Sequence, residues 1–157
     1  MTRHGQDDDD REEAVAEPMS PKRRQEFLME GTRTAILATT RRNGRPHAVP
    51  VCFVLDGDDI LFLTNADSVK GADMRRDPRV TLVVDDETPP FAFAMIEGTA
   101  EMSQAPDELR HAAVEISHRY NGGENIEQFV HFATAALGSL VRIRPTRTLA
   151  LDRVGEH

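Results

Sequence analysis

The sequence predicts a mainly β fold: a closed or nearly closed antiparallel barrel of about seven strands, with peripheral helices. Three observations predict it. Seven short runs are rich in apolar and β-branched residues, and tight-turn signals separate several of them. The helical patterns are few and inserted between strands, not alternating with each strand as a parallel sheet would need. There is no internal repeat.

The elements follow in order. Ser20-Pro21 is a helix start, with serine as N-cap and proline in the first turn. KRRQEFLMEG follows, with Phe27 and Leu28 as its apolar contacts and Gly31 as the expected C-cap. TAILATT (34–40) is a strand, and RRNGRP (41–46) carries Asn-Gly, a strong hairpin signal. HAVPVCFVL (47–55) is read as its return strand. Pro50 places that strand at an edge or a bulge, because proline cannot donate to a ladder. After Asp56-Gly57 comes DILFLT (59–64). A short helix occupies DSVKGADMRRDPRV (67–80), from the Ser68 N-cap to the Asp77-Pro78 stop. VTLVVD (80–85) and FAFAMIEGTAEM (91–102) are further strands. In the latter Phe91, Phe93 and Met95 share one face and Ala92, Ala94 and Ile96 the other, and Gly98 suggests a bulge or close backbone approach. Residues 106–123 form an amphipathic helix with Leu109, Ala112, Ala113 and Ile116 inward, and 124–138 a second. SLVRIRP (139–145) and TRTLALDRV (146–154) are read as two closing strands.

Composition narrows the function. The 157 residues suit one domain, 19–157, behind an acidic opening, 1–18, that holds seven acids against two arginines and reads as a disordered tail. A net charge of −8, 5% aromatic residues and no Trp argue against a nucleic-acid partner. No apolar run is long enough for a membrane span and no signal peptide is present, so the expected location is the cytoplasm. One cysteine, Cys52, allows neither an internal disulfide nor a cysteine zinc cluster, and reads as a small core residue.

Motifs for a Rossmann site, a Walker loop, a zincin or a hydrolase elbow are absent. His111, Glu115 and His118 share a helix face that suits a metal, but a solvated polar face is the simpler reading, and we expect no metal. Tyr120, at a helix end, packs or touches a ligand, packing being the simpler reading, and His131 reads as a packed histidine among apolar neighbours. The residue that raises a question is Lys70. It sits in the first turn of a short helix, where the helix dipole disfavours a cation, and Gly71 follows it. Either an anion belongs there or Lys70 points into water. Arg41, Arg42, Arg45, Arg75, Arg76 and Arg79 gather positive charge in two nearby segments of an otherwise acidic chain, which favours a phosphorylated small molecule.

The runs TAILATTRRNGRPHAVPV, DGDDILFLTNADSVKGADMRRDPRVTLVV and FAFAMIEGTAEM resemble the pyridoxamine 5′-phosphate oxidase-like superfamily, and within it the coenzyme F-420-dependent oxidoreductases of actinobacterial type. The resemblance spans nearly all of 20–154, and the S-x-K…RRDPR block is its most specific part. It implies a split β-barrel of the FMN-binding type, and a homodimer with two equivalent sites at the subunit interface. The expected cofactor is F-420, with FMN as the alternative. The expected reaction is hydride transfer between the cofactor's C5 and a small organic substrate. A non-catalytic flavin or deazaflavin carrier is the remaining alternative. No catalytic side chain is expected, because the cofactor carries the chemistry. By the resemblance Lys70 and Ser68 meet the cofactor phosphate, and Thr64 lies beside them. His47, Val49, Pro50 and Val51 line the ring, and Phe91 and Phe93 stand near the pocket. One departure matters: Asp73-Met74 stands where relatives usually have Asn-Leu. A carboxylate there weakens a phosphate site unless it points away or pairs with an arginine.

Overall fold

The computed structural model describes residues 16–155, so most of the acidic opening lies outside the described residues. Its last residues are paired: Glu17–Pro18 (β1) lie against Asp152 and Leu151. Helix α1 (Pro21–Met29) starts as the sequence implies, with the Ser20 side chain accepting from the Arg23 N–H at 3.1 Å. The strands are β2 (Ala35–Thr40), β3 (Pro46–Val51), β4 (Val54–Asp56), β5 (Asp59–Asn65), β6 (Arg79–Asp86), β7 (Phe91–Ser103) and β8 (Gly138–Val154). The remaining helices are α2 (Val69–Arg76), α3 (Pro106–Asn121) and α4 (Ile126–Phe132), the last continued by a π-helical turn at Ala133–Leu137. That continuation shortens the α-helix expected over 124–138.

The strand order is β3-β2-β6-β7-β8-β5-β4, all antiparallel, with β1 added to β8. The ends of that order, β3 and β4, are separated by only Cys52 and Phe53. Three peptide units span at most about 11 Å, so the two sheet edges must come together. The sheet therefore curls into a barrel whose seam carries no β3–β4 ladder. This corrects the expected return strand 47–55: it is two strands, β3 paired to β2 and β4 paired to β5. Pro50 sits on an edge strand as its missing N–H requires.

The opposite correction applies to 139–154, which is one strand and not two. Its register against β7 slips between Glu97 and Gly98, and the slip accommodates Pro145 opposite Gly98. A Cβ on Gly98 would lie 2.7 Å from the Arg144 carbonyl oxygen, so glycine is required there. One strand is split, two are merged and β1 is added, giving eight.

Phe27, Phe53 and Phe62 fill the barrel interior and are fully buried. Strand β7 therefore turns its small side inward, Ala92, Ala94 and Ile96, and its Phe91, Phe93 and Met95 side outward. Helix α1 closes one end with Phe27 and Leu28; α2 closes the other with Met74. Helix α3 covers β4, β5 and β8 from outside through Leu109, Ala112 and Ile116. Two expected core positions are not core: Cys52 and His131 are both exposed. Cys52 sits in the seam, where the chain leaves one edge strand for the other, and His131 lies on the solvent face of α4. No helix among the described residues is long and apolar enough to cross a membrane.

Candidate functional site

Helix α2 is set by its own N-cap. The Ser68 hydroxyl accepts from the Gly71 N–H at 3.1 Å, lies 2.6 Å from the Asn65 carbonyl oxygen, and is 3.2 Å from the Thr64 hydroxyl. Thr64 and Ser68 are thus adjacent, and both hydroxyls are engaged in holding the turn. Gly71 has a structural cause. A Cβ there would lie 2.6 Å from the carbonyl oxygens of both Asn65 and Ala66. The first turn packs directly on the preceding loop, which only glycine permits.

Asp73 lies on the inward face of α2, 4% exposed. It accepts from the Thr39 hydroxyl at 2.8 Å and faces Arg76 at 3.4 Å. It thus points into the barrel end and pairs with an arginine, which removes the expected objection to a nearby phosphate. Arg76 also donates to the Thr40 carbonyl, so the two basic segments meet at the end of β2.

The other arginines of the segment are taken up locally. Arg75 reaches Asp67 at 3.6 Å, and Arg79 grips Asp77 through two hydrogen bonds of 3.0 and 2.8 Å. That guanidinium holds the Asp77 carboxyl down at about 2. Lys70 is different. It is half-buried and has no ion pair among the described residues, one helical turn before Asp73. Arg41, Arg42 and Arg45 of the hairpin are exposed and likewise without ion pairs among the described residues.

Strand β3 adds the next wall. His47 is the register partner of Thr39, Val49 of Leu37 and Val51 of Ala35, and these three face inward with their partners. Neighbouring side chains in such pairs stand about 5 Å apart, so His47 lies beside the Thr39–Asp73 contact. Its Nδ1 is buried and has no hydrogen-bond partner among the described residues. The structure thus gathers His47, Thr64, Ser68 and Lys70 at the α2 end of the barrel, with Val49 and Val51 continuing the inner wall of β3. Against the outer face at the same end lies a groove of about 650 Å³, floored by Thr40, Thr81 and Thr99 and flanked by Pro46, Arg79 and Glu97.

Pro50, Phe91 and Phe93 do not join this group within one chain. Pro50 faces outward beside Ile36, which is 42% exposed. Phe91 opens β7 beside Val154, at the end of the barrel away from α2, and is 45% exposed. Phe93 lies outward between Asp85 and Leu151.

The sequence did not single out the polar clasp at the other barrel end. Arg119 donates to the carbonyls of Phe53 at 2.6 Å, Leu28 at 2.8 Å and Gly31 at 3.1 Å, and stacks 4.5 Å above the Phe53 ring. The Tyr120 hydroxyl donates to the Arg33 carbonyl at 2.7 Å and accepts from the Phe53 N–H at 3.1 Å. Burial lowers the Arg119 pKa and raises that of Tyr120. Tyr120 was noted in sequence as a residue at a helix end, Arg119 only as part of the helix pattern; their partners lie more than 65 positions away. Among the described residues no three His, Cys, Asp or Glu side chains are placed to hold a metal, His111, Glu115 and His118 included.

The family model for pyridoxamine 5′-phosphate oxidase matches residues 21–148. The chain belongs to that family. Among solved structures, this pyridoxamine 5′-phosphate oxidase family member is similar to a conserved hypothetical protein of Mycobacterium tuberculosis: 31% identity, a TM-score of 0.78, and 87% of this chain and 86% of that one covered. It shares its fold with an F-420 reductase (23% identity, TM-score 0.62, 78% and 94% covered). It shares it also with the heme storage protein of Vibrio cholerae (20% identity, TM-score 0.68, 86% and 95% covered). No protein of curated function matches it in sequence.

Proposed function

We propose that this chain is an oxidoreductase that uses coenzyme F-420 in hydride transfer with a small organic substrate. The observation that carries the reading is Lys70, a half-buried cation without an ion pair among the described residues, while its neighbours Arg75, Arg76 and Arg79 are each matched by an aspartate. A native chain that pairs three arginines and leaves the lysine beside them open has kept that charge for an anion. The residues present fit the group. Lys70 would meet the phosphate, held in place by the cap that Ser68 and Thr64 build. Arg41, Arg42 and Arg45 would meet the acidic tail of F-420. His47, half-buried at the same barrel end, would stand beside the ring system. When bound, the deazaflavin supplies hydride chemistry at its C5; the protein supplies binding and orientation. The similarity of fold to an F-420 reductase accords with this reading.

The reading includes a homodimer. Register places Pro50, Ile36, Val83, Met95 and Leu149 in one row across the outer face, with Phe91 and Phe93 beyond it. Ile36, Phe91 and Leu149 are each more than two-fifths exposed. A second copy on this face would cover the row and bring Pro50, Phe91 and Phe93 to a shared interface, as the site requires.

The test is titration of the purified protein with F-420 and with FMN, followed by fluorescence and repeated on Lys70→Ala. F-420 binds, and Lys70→Ala weakens it about tenfold or more, the worth of one charge-assisted hydrogen bond. Tighter binding of FMN than of F-420, or an unchanged affinity in Lys70→Ala, overturns the reading. A protein that binds F-420 yet never turns it over across a substrate panel is a carrier. Sedimentation shows a dimer, and Ile36→Glu with Leu149→Lys shows a monomer.

A further inference from the structure

The barrel wall is open beside β8. That strand pairs with β5 as far as Ile143, and β1 joins the same edge only at Leu151. Between them, 144–149 is paired on its β7 edge alone among the described residues. Helix α1 and the β4–β5 turn flank the opening, which forms a cleft of about 440 Å³. That volume is ordinary for a small-molecule site. Leu28, Leu55 and Ile96 pack with the barrel core and give the cleft an apolar floor.

The charged groups of the cleft are unequally committed. Asp58 accepts from the Gln25 amide at 3.0 Å, and Asp59 is bridged by Arg142 at 3.0 Å and Arg144 at 3.6 Å. The two arginines of the lining, Arg24 and Arg147, have no side-chain hydrogen bond or ion pair among the described residues. Arg24 is the more telling, because it is half-buried. The other half-buried arginines are all matched: Arg23 by Asp152, Arg33 by Asp86, Arg142 by Asp56 and Asp59, and Arg119 by three carbonyls. A charge drawn partly out of water and left without a partner is costly, so native chains seldom keep one without a use. Arg147 stands opposite Glu97 in the β7–β8 ladder yet makes no ion pair with it: Glu97 lines the outer groove and Arg147 the cleft. Thr148 adds a half-buried hydroxyl without a partner among the described residues, whereas the Thr146 hydroxyl donates to the Glu97 carbonyl at 3.2 Å.

We propose that this cleft binds a small organic oxyanion, a carboxylate or a phosphate monoester, with its charged head at Arg24 and Arg147 and its body on the apolar floor. Guanidinium suits such a head, since its N–H fork meets two oxygens at once and its charge is permanent. The carboxylates of the cleft are already matched, so the charge left available there is positive. A long polyanion is a poor fit, because Asp58 and Asp59 line the same cleft and repel it. The proposal goes beyond the cofactor reading. None of the residues assigned to F-420 lines the cleft, and Thr146 is its one residue in common with the outer groove.

The probes are phenyl phosphate and benzoate, with benzyl alcohol as an uncharged counterpart of similar shape. NMR titration of the full chain follows the Arg24 and Arg147 Nε–H resonances and the methyl groups of Leu28, Leu55 and Ile96. An anion moves both sets, and benzyl alcohol binds about tenfold or more weakly, because it lacks the charge-assisted hydrogen bonds. Tighter binding of phenyl phosphate assigns a phosphate monoester, and of benzoate a carboxylate. Arg24→Gln removes no bond of the fold, so it keeps the thermal stability and weakens the anion about tenfold or more. Arg147→Gln, at an exposed position, weakens it too and keeps the test open should Arg24→Gln fail to fold. Lys70→Ala leaves this titration unchanged, so a failure of the cofactor reading at the α2 end is seen apart from a failure here. Resonances that no probe moves overturn the proposal. So does benzyl alcohol binding as tightly as the anions, or an anion affinity that survives both arginine substitutions. An affinity that emerges only after removal of residues 1–15 overturns it as well, since the acidic opening of the chain is then the occupant.

Discussion

The two ends of the barrel are closed by helices of similar length but opposite chemistry. At the α1 end the residues of the clasp are matched. Arg119 spends its donors on three backbone carbonyls, and Tyr120 both donates and accepts. At the α2 end the helix is anchored just as firmly, by Ser68 and by the Thr39–Asp73 bond, yet Lys70 and His47 Nδ1 have no partners among the described residues. The difference teaches how to tell scaffold from site. Saturated polar groups hold the fold together, and unsatisfied ones next to a rigid anchor are available for a ligand.

Mutation at each end sharpens that contrast. Arg119→Met has the largest expected effect. It strips charge-assisted bonds from half-buried carbonyls and lowers stability by about 3 kcal/mol in urea unfolding, without changing F-420 affinity per folded molecule. A loss of under about 1 kcal/mol would break the comparison. Gly71→Ala comes next. Its Cβ collides with two backbone oxygens, which cannot swing aside as a side chain could, and the cost is about 2 kcal/mol despite alanine's better helix propensity. Tyr120→Phe removes one hydroxyl and costs about 1 kcal/mol. Lys70→Ala is the mirror image: stability stays within about 0.5 kcal/mol while anion affinity falls.

The smallest effect concerns Asp77, an exposed carboxylate held near 2 by Arg79. A depressed folded pKa adds stability that is present above the unfolded value, about 3.9, and is lost as pH falls through the folded one. The Asp77 contribution therefore fades between about pH 4 and pH 2. Glu101 beside Arg144 and Glu127 beside Arg110 are shifted in the same direction. Carboxyl titration by NMR places the Asp77 midpoint near 2, and Arg79→Met raises it only part of the way back, because the Arg79 backbone N–H still donates to the carboxylate.

Much of the α2 segment was legible in sequence. The Ser68 cap, the Asp77 stop and the place of Lys70 in the first turn are local properties of consecutive residues, and the structure has all three. The reason for Gly71 was not legible as such. It was open to reading as room for an anion, whereas the loop at Asn65 and Ala66 occupies that space. The role of Asp73 depended on Thr39, 34 positions away. Arg119 carried no signal and Cys52 read as core, because a clasp and a seam exist only once distant segments have met.

The sequence by itself determined most of the strands and their alternation, the hairpin turn at Asn43-Gly44, the α2 cap, and that Pro50 stands at an edge or bulge and Gly98 at a bulge or close approach. These are short-range consequences of backbone sterics, proline's missing N–H and the two-residue period of a strand. Only the tertiary structure decided that β7 turns its alanines inward, that 47–55 divides at Cys52 and Phe53, and that 139–154 runs unbroken. Each of those outcomes is set by barrel closure. Closure fixes how much room three buried phenylalanines leave and where two edges must meet, and neither quantity is written in any local stretch of the chain.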